Sequence, residues 1–334
     1  MTCLGGISDI GWDNDRPEKF MRLIYLIAAG LVAFGNVAQA QTVIRLGVAQ
    51  SSIGTLPLLA ADQNGFFAEE GIELDTYQFR GGAPTVQALA SGSIDICVCA
   101  GDHAVRLSSR GLSAKIIAGL TERHGYAMLA RGDSEVTGLE DFLGRTLGIT
   151  SPGSLTDNSA RFVLGDLGIN PDRDLTFASI GVGIPMRAAL DTGSIDVGLF
   201  TTPDVQAVMA GGDYKIIYDF RDWDYTALDL IALDRFLSAN GDAARSFLRA
   251  VIRAQNLLNE DDEALRNVLS EMYTNFDAAL IDQLVEEIPE SLAQGGIVST
   301  GGFDRMISVL GANEPELSEI TYDDVVTREY LPAP

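Results

Sequence analysis

The sequence predicts an α/β fold made of two copies of one strand–helix unit, followed by a helical tail. Three observations carry this. The chain repeats itself at an offset of 101 residues: between 46–95 and 147–196, twelve of fifty positions are identical without a gap, where chance at ordinary residue frequencies gives about three. Each copy alternates short apolar runs with helical patterns, as βαβαβ units on a parallel sheet do. Beyond residue 240 the strand pattern stops and helical periodicity takes over.

In the first copy a strand is expected over 43–49, then a Ser/Gly loop, a helix over 56–64, a strand over 72–79, a Gly-Gly turn, a helix over 85–90 and a strand over 94–99. The second copy gives strand 146–150, helix 157–167, strand 175–180, helix 186–191 and strand 195–200. The second helix of each copy ends at glycine, Gly92 or Gly193, which tolerates the left-handed conformation that closes a helix. The plainest repeated words are Leu46-Gly47-Val48 with Leu147-Gly148-Ile149, and Gly92-Ser93-Ile94-Asp95 with Gly193-Ser194-Ile195-Asp196. Apolar stretches at 126–131 and 228–233 occupy matching ends of the copies. They are expected to be crossovers between two lobes, 43–128 with 231–334 and 129–230. In the tail, Asp242 is placed to cap a helix whose apolar face is Phe247, Leu248, Val251, Ile252, Leu257 and Leu258. Further helices are expected over 261–273, 277–292 and 301–311, packed on the first lobe.

Residues 21–40 read as a secretory signal: Met21-Arg22 is a short positive start, 23–34 an apolar run and Ala38-Gln39-Ala40 a cleavage site. Residues 1–20 are expected to be a misassigned start or an extension removed with the signal. Acidic residues outnumber basic ones 47 to 23, for a net charge of -24. That balance argues against nucleic acid and anionic lipid as partners, since both are bound through Lys and Arg. The lysines are Lys19, Lys115 and Lys215, and the histidines His103 and His124, so a metal site rich in imidazole is excluded. Cys97 and Cys99 share one face of a strand and read as buried core. A zinc site with His103 is set aside, because these cysteines align with Gly198 and Phe200. No phosphate loop, nucleophile elbow or zinc-hydrolase motif is present, and no cofactor or catalytic residue is expected.

In open parallel sheets ligands sit outside the carboxyl ends of the strands, where loops run into helix N-termini that favour anions. Two lobes joined by crossovers set two such loop clusters across a cleft that can close on a small solute. Ser51, Ser52 and Thr55 lie on the first loop of one copy; Ser151, Gly153, Ser154 and Thr156 lie on its counterpart. They can hold an anionic group, or simply cap helices. Arg80, with Gly81 and Gly82, ends the second strand of the first copy, where the second copy has Gly181. Its guanidinium can pair with a carboxylate or sulfonate, or be a solvated rim residue. Gly101, Asp102 and His103 follow the third strand, with Thr202, Pro203 and Asp204 as equivalents. Asp102, His103, Thr202 and Asp204 are cleft donors and acceptors, or the aspartates are N-caps and His103 a structural histidine. Tyr126, Trp223 and Tyr225 flank the crossovers, where an aromatic face can wall a ligand or pack the hinge.

The order of several motifs resembles a known family. Ala60-Ala61 leads to Phe66-Phe67-Ala68-Glu69-Glu70-Gly71-Ile72, similar to an A-x-x-x-G-F-F-x-x-E-G signature. Gly81-Gly82-Ala83, then 88–95, then Leu139-Glu140-Asp141-Phe142-Leu143-Gly144-Arg145 and Ser151-Pro152-Gly153-Ser154 follow. Together, over about 43–260, they resemble the nitrate/taurine/sulfonate type of ABC-importer solute-binding protein, which includes binders of thiamine-pyrimidine precursors. The resemblance implies a type II periplasmic-binding-protein fold: two Rossmann-like lobes, a ligand cleft between them and C-terminal helices. It implies a periplasmic protein that hands a small solute to a permease driven by an ATPase in the inner membrane, and does not imply a particular solute. The helix starts and Arg80 lead to the expectation of a small organic anion such as a sulfonate or carboxylate. Asp102, Asp204 and the aromatics leave room for a nitrogen heterocycle, and a monomer is expected. Two other readings stay open. One is a pyrimidine-synthase-like enzyme, which needs a Schiff-base lysine; Lys115 and Lys215 start predicted strands, away from the cleft. The other is a solute sensor.

Overall fold

The structure is a computed structural model that describes residues 41–333. The signal and extension expected over 1–40 lie outside the described residues. The elements run, in order: β1 Thr42–Val48, α1 Leu56–Gln63, α2 Phe66–Glu69, β2 Ile72–Gln78, α3 Gly82–Ser91, β3 Ile96–Cys99, α4 Asp102–Ser109 and β4 Ala114–Arg123. Then come β5 Tyr126–Arg131, β6 Thr146–Ile149, α5 Leu155–Asp166, α6 Pro171–Asp174, β7 Thr176–Ser179, α7 Ile184–Asp191, β8 Val197–Thr201, α8 Asp204–Ala210 and β9 Tyr214–Asp219. The chain ends with β10 Asp224–Leu233, α9 Asp234–Glu260, α10 Asp262–Met272, α11 Ala278–Glu287, α12 Thr300–Asn313 and α13 Tyr322–Val325.

Two five-stranded sheets form, ordered β2-β1-β3-β10-β4 and β7-β6-β8-β5-β9. The repeat explains their likeness. In each copy the first strand pairs in parallel with the second and the third. Gly47 and Gly148 are small for one reason: a Cβ on Gly47 would collide with Ile94, and one on Gly148 would come within 2.6 Å of Ile195 Cδ1. The repeated aspartates do the same work. Asp95 accepts from the backbone N–H of Arg45 at 3.0 Å and Asp196 from that of Thr146 at 2.7 Å, pinning the third strand beside the first.

The apolar stretches expected as crossovers are central strands instead. β10 lies antiparallel between β3 and β4, and β5 antiparallel between β8 and β9, so neither sheet is wholly parallel. The chain passes between sheets at 124–125 and again at 220–223. Helix formation also begins earlier than Asp242: α9 starts at Asp234 and is interrupted at Asn240, whose φ of -134° and ψ of 33° leave the helical region. The predicted apolar face of α9 is otherwise buried, with Leu257 only partly so.

Strand alternation sorts the core. Ile96 and Val98 face one apolar cluster, with α1, α9, α10 and α11. Cys97 and Cys99 face another and are fully buried with their sulfurs in contact. That second cluster takes in residues of both sheets together with Phe303, Met306, Val309 and Leu310 of α12. The tail therefore does not sit on the first sheet alone: α12 also reaches α5, where the Asn313 amide donates to the Asn158 carbonyl at 3.3 Å. No helix among the described residues is long and apolar enough to cross a membrane.

Candidate functional site

The carboxyl ends of the parallel strands from both sheets converge on one cavity, an empty space of about 640 Å³ that includes its open mouth. The repeat is visible in its walls. Ala49 and Thr150 follow the first strand of each copy, Ala100 and Thr201 follow or end the third, and all four line the cavity. Ser52, Gly82, His103, Tyr126 and Ser154 line it as well. A contiguous mouth, sharing Ala49, Gln50 and Thr150, is lined by Ser51, Arg80, Gly81 and Gly181. Nine of the residues singled out from sequence thus meet in one continuous cleft.

Their local chemistry differs. Ser154 caps α5, its hydroxyl accepting from the Asp157 N–H at 3.5 Å, and it joins a buried hydroxyl cluster with Thr150 and Thr156 at 2.7 and 2.9 Å. Thr156 also accepts from the Thr150 backbone N–H, so it serves the loop from behind rather than the cavity. Thr55 is occupied the same way: it accepts from the Ser52 N–H and donates to the Ser52 carbonyl, and it borders an apolar groove beside α1. The Gly153 N–H is taken by Asp157 at 2.7 Å. Ser151 lies across from Gly81, where a Cβ would come within 3.6 Å of its hydroxyl; that hydroxyl is buried without a partner.

His103 packs so closely on Gly82 that a Cβ there would collide with its ring. Burial pushes its imidazole below the ordinary value, against the pull of Asp102. Asp204 is its equivalent in the second copy. Burial raises its carboxyl to about 6, and a Cβ on Gly183 would lie 3.5 Å from its Oδ2. Asp102 is fully buried and held by Arg106 and Asn158 at 3.0 and 2.8 Å, so it is not in the cavity wall. Thr202 lines a polar groove that adjoins the cavity, sharing Arg123, Gly125 and Ser291 with it.

At the crossings, the Gln50 amide donates to the Tyr126 hydroxyl at 2.6 Å, tying the first sheet's loop to the second sheet. Burial raises the Tyr126 phenol to about 12. Tyr225 and Trp223 stand outside the cavity wall. Both pack edge-on against His124, at 5.0 and 5.9 Å between centroids, and Arg305 lies 4.9 Å over Trp223. They pack around His124 beside the chain crossings. His124, named in the sequence only as one of two histidines, is the residue at their centre and lines the cavity. Burial drives it down to about 3, and its Nε2 meets the Ser159 hydroxyl at 2.6 Å. Gln50, Thr150 and Thr201 were also missed. Their signal was available in the repeat, since each sits at or just past the carboxyl end of a strand.

The wall is therefore neutral in its depth. The cation that touches it, Arg123, is paired with Asp224 at 2.6 Å, and Arg80 stands exposed at the mouth. Such a site can hold a small polar molecule by hydroxyls, imidazoles and helix starts.

The family described as NMT1/THI5 like matches residues 53–264. YtlA of Bacillus subtilis is 22% identical over 310 residues, covering 90% of this chain and 92% of its own. A solved structure from Bordetella bronchiseptica RB50 superposes with a TM-score of 0.79 at 26% identity, over 87% of this chain and 96% of that one. The alkanesulfonate-binding protein SsuA from Xanthomonas axonopodis pv. citri, bound to MOPS, gives 0.68 at 18% identity, over 88% and 96%.

Proposed function

The chain belongs to the NMT1/THI5-like family, and on that footing we propose that it is the solute-capturing component of an ABC importer. It holds a small organic solute between its two sheets and presents it to a membrane permease and its ATPase. The single observation that carries this is the cavity itself, walled by equivalent strand ends of both copies. The halves are read as two lobes, 41–123 with 224–333 and 126–219, that close on the solute about the crossings; the expected bounds at 128 and 230 fall inside β5 and β10. A periplasmic monomer fits this role.

Catalysis is not part of the reading. Lys115 donates to the Asp324 carbonyl and Lys215 to the Ser134 carbonyl, so neither is offered to a carbonyl substrate in the cleft. An organic anion such as a sulfonate or carboxylate suits the helix starts at Gly82 and Leu155, with Arg80 at the mouth. A neutral nitrogen heterocycle is the second reading. The observation that favours it is the pair of histidines held uncharged by burial, able to donate and accept without a counter-charge.

A thermal-shift screen against sulfonates, aromatic acids, nitrate and pyrimidines tests both. A solute at 100 times its dissociation constant stabilises the fold by about 2.7 kcal/mol. A shift with any of them supports capture, and its class chooses between the readings. Absence of a shift with every solute contradicts the proposal.

A further inference from the structure

Away from the cavity, one cluster joins three parts of the chain that the repeat does not relate. Arg106 on α4 extends across to α5 and to the end of α12. Its Nη1 donates to Asp102 Oδ2 at 3.0 Å and to the Gly153 carbonyl at 3.3 Å. Its Nη2 donates to Asn158 Oδ1 at 3.1 Å and its Nε to Glu314 Oε1 at 2.8 Å. The Asn158 amide returns a bond to Asp102 Oδ2 at 2.8 Å. The Arg106 side chain is 12% exposed and that of Asp102 is 0%.

A carboxylate buried to this degree needs its charge paired, and Asp102 is held through Oδ2 alone, by two hydrogen bonds, its Oδ1 being buried without a partner. Those bonds come from two sides: Arg106 from the first sheet's helix, and Asn158 from the second's. Separating α4 from α5 would strip Asp102 of the Asn158 amide and Arg106 of two acceptors. The cost is paired with a position. Gly153, whose carbonyl Arg106 holds, immediately precedes Ser154, which caps α5 and lines the cavity. Nothing equivalent exists in the second copy, where Asp102 and Arg106 align with Pro203 and Ala207.

We propose that Arg106 is a positioning residue for solute capture, clasping the two halves together from the side and fixing the loop that carries Ser154. This rests on the reading of two lobes that close. The clasp acts without touching solute: it biases the resting protein toward closure, so that capture orders less of the loop and release must first undo these bonds.

The test uses the solute-free protein. Asn158→Ala removes the second half's side-chain bonds, leaving it only the Gly153 carbonyl on Arg106, and keeps the Asp102–Arg106 pair intact, so the first half stays folded. We expect a larger radius of gyration by X-ray scattering and amide exchange about tenfold faster over 153–157. Arg106→Lys keeps the charge opposite Asp102 but cannot serve four acceptors, and should fall between wild type and Asn158→Ala. Unchanged scattering and exchange in Asn158→Ala overturns the clasp. Because no solute enters these measurements, they are independent of the thermal screen. Expanded scattering beside a silent screen would keep the clasp and remove the solute reading.

Discussion

In the first copy of the repeated unit the third strand runs into Gly101, Asp102 and His103; in the second it runs into Thr202, Pro203 and Asp204. The contrast extends to the antiparallel strand beside each. Asp229 pairs with Cys99 in the first sheet, and the equivalent partner of Phe200 in the second is Ala127. The first half therefore buries Asp102, His103 and Asp229 where the second has Pro203, a half-buried Asp204 and Ala127. What the two halves share is what the backbone demands, such as Gly47 with Gly148 and Asp95 with Asp196. What separates them is polar chemistry next to the cleft, as expected when two like walls must hold unlike ends of one solute.

The strongest way to break the comparison is to move its polarity. Ala127→Asp places a carboxyl in the second sheet without the hydroxyl of Thr226, which bonds both oxygens of Asp229 at 2.8 and 2.7 Å. A cost of about 3–5 kcal/mol is expected in denaturant unfolding. The reverse change, Asp229→Asn, should stabilise. Burial lifts the Asp229 carboxyl from 3.8 to about 8. The folded state thus keeps a proton that the unfolded state releases, and stability drains away as pH rises from about 4 to about 8. Asn cannot titrate, so the gain should be absent near pH 4 and reach about 2–4 kcal/mol at pH 7. A wild-type stability that is flat over that window would contradict a buried, protonated Asp229.

The glycines under His103 and Asp204 sharpen the comparison. Gly82→Ala forces the His103 ring out of place, at about 1–3 kcal/mol, and should weaken solute binding because that ring is cavity wall. Gly183→Ala costs a similar amount by backbone strain, since Gly183 sits at φ 65°, and should leave affinity unchanged. Equal loss of affinity in both would place Asp204 in the wall after all. The smallest effect is at the cap: Ser154→Ala should cost about 1 kcal/mol in thermal unfolding. Thr55→Ala is silent toward solute, its hydroxyl being spent on Ser52.

Much of this was legible before the structure. The offset of 101 residues located both βαβαβ units and most of the cleft loops, because glycines and aspartates with fixed backbone duties repeat with the fold. The direction of β5 and β10 was not legible: alternation gives a buried strand the same pattern whichever way it runs. Nor was the reach of α12 to α5, since periodicity tells which face is apolar and not what covers it. Asp242 looked like a cap because a polar break does precede it, but the break is the distortion at Asn240 inside a longer helix. His124 stands outside the repeat, and only the convergence of Tyr126, Phe220, Trp223 and Tyr225 around it marks it.

The most direct test of the account is calorimetric titration of the solute that gives the largest thermal shift, into wild type and into a Gln50→Ala, Thr201→Ala double variant. These residues line the cavity from the first and second halves. The account predicts one site per chain in wild type and affinity at least about tenfold weaker in the double variant, the loss expected for two hydrogen bonds. Equal affinity in the two proteins would show that the solute does not sit between the sheets.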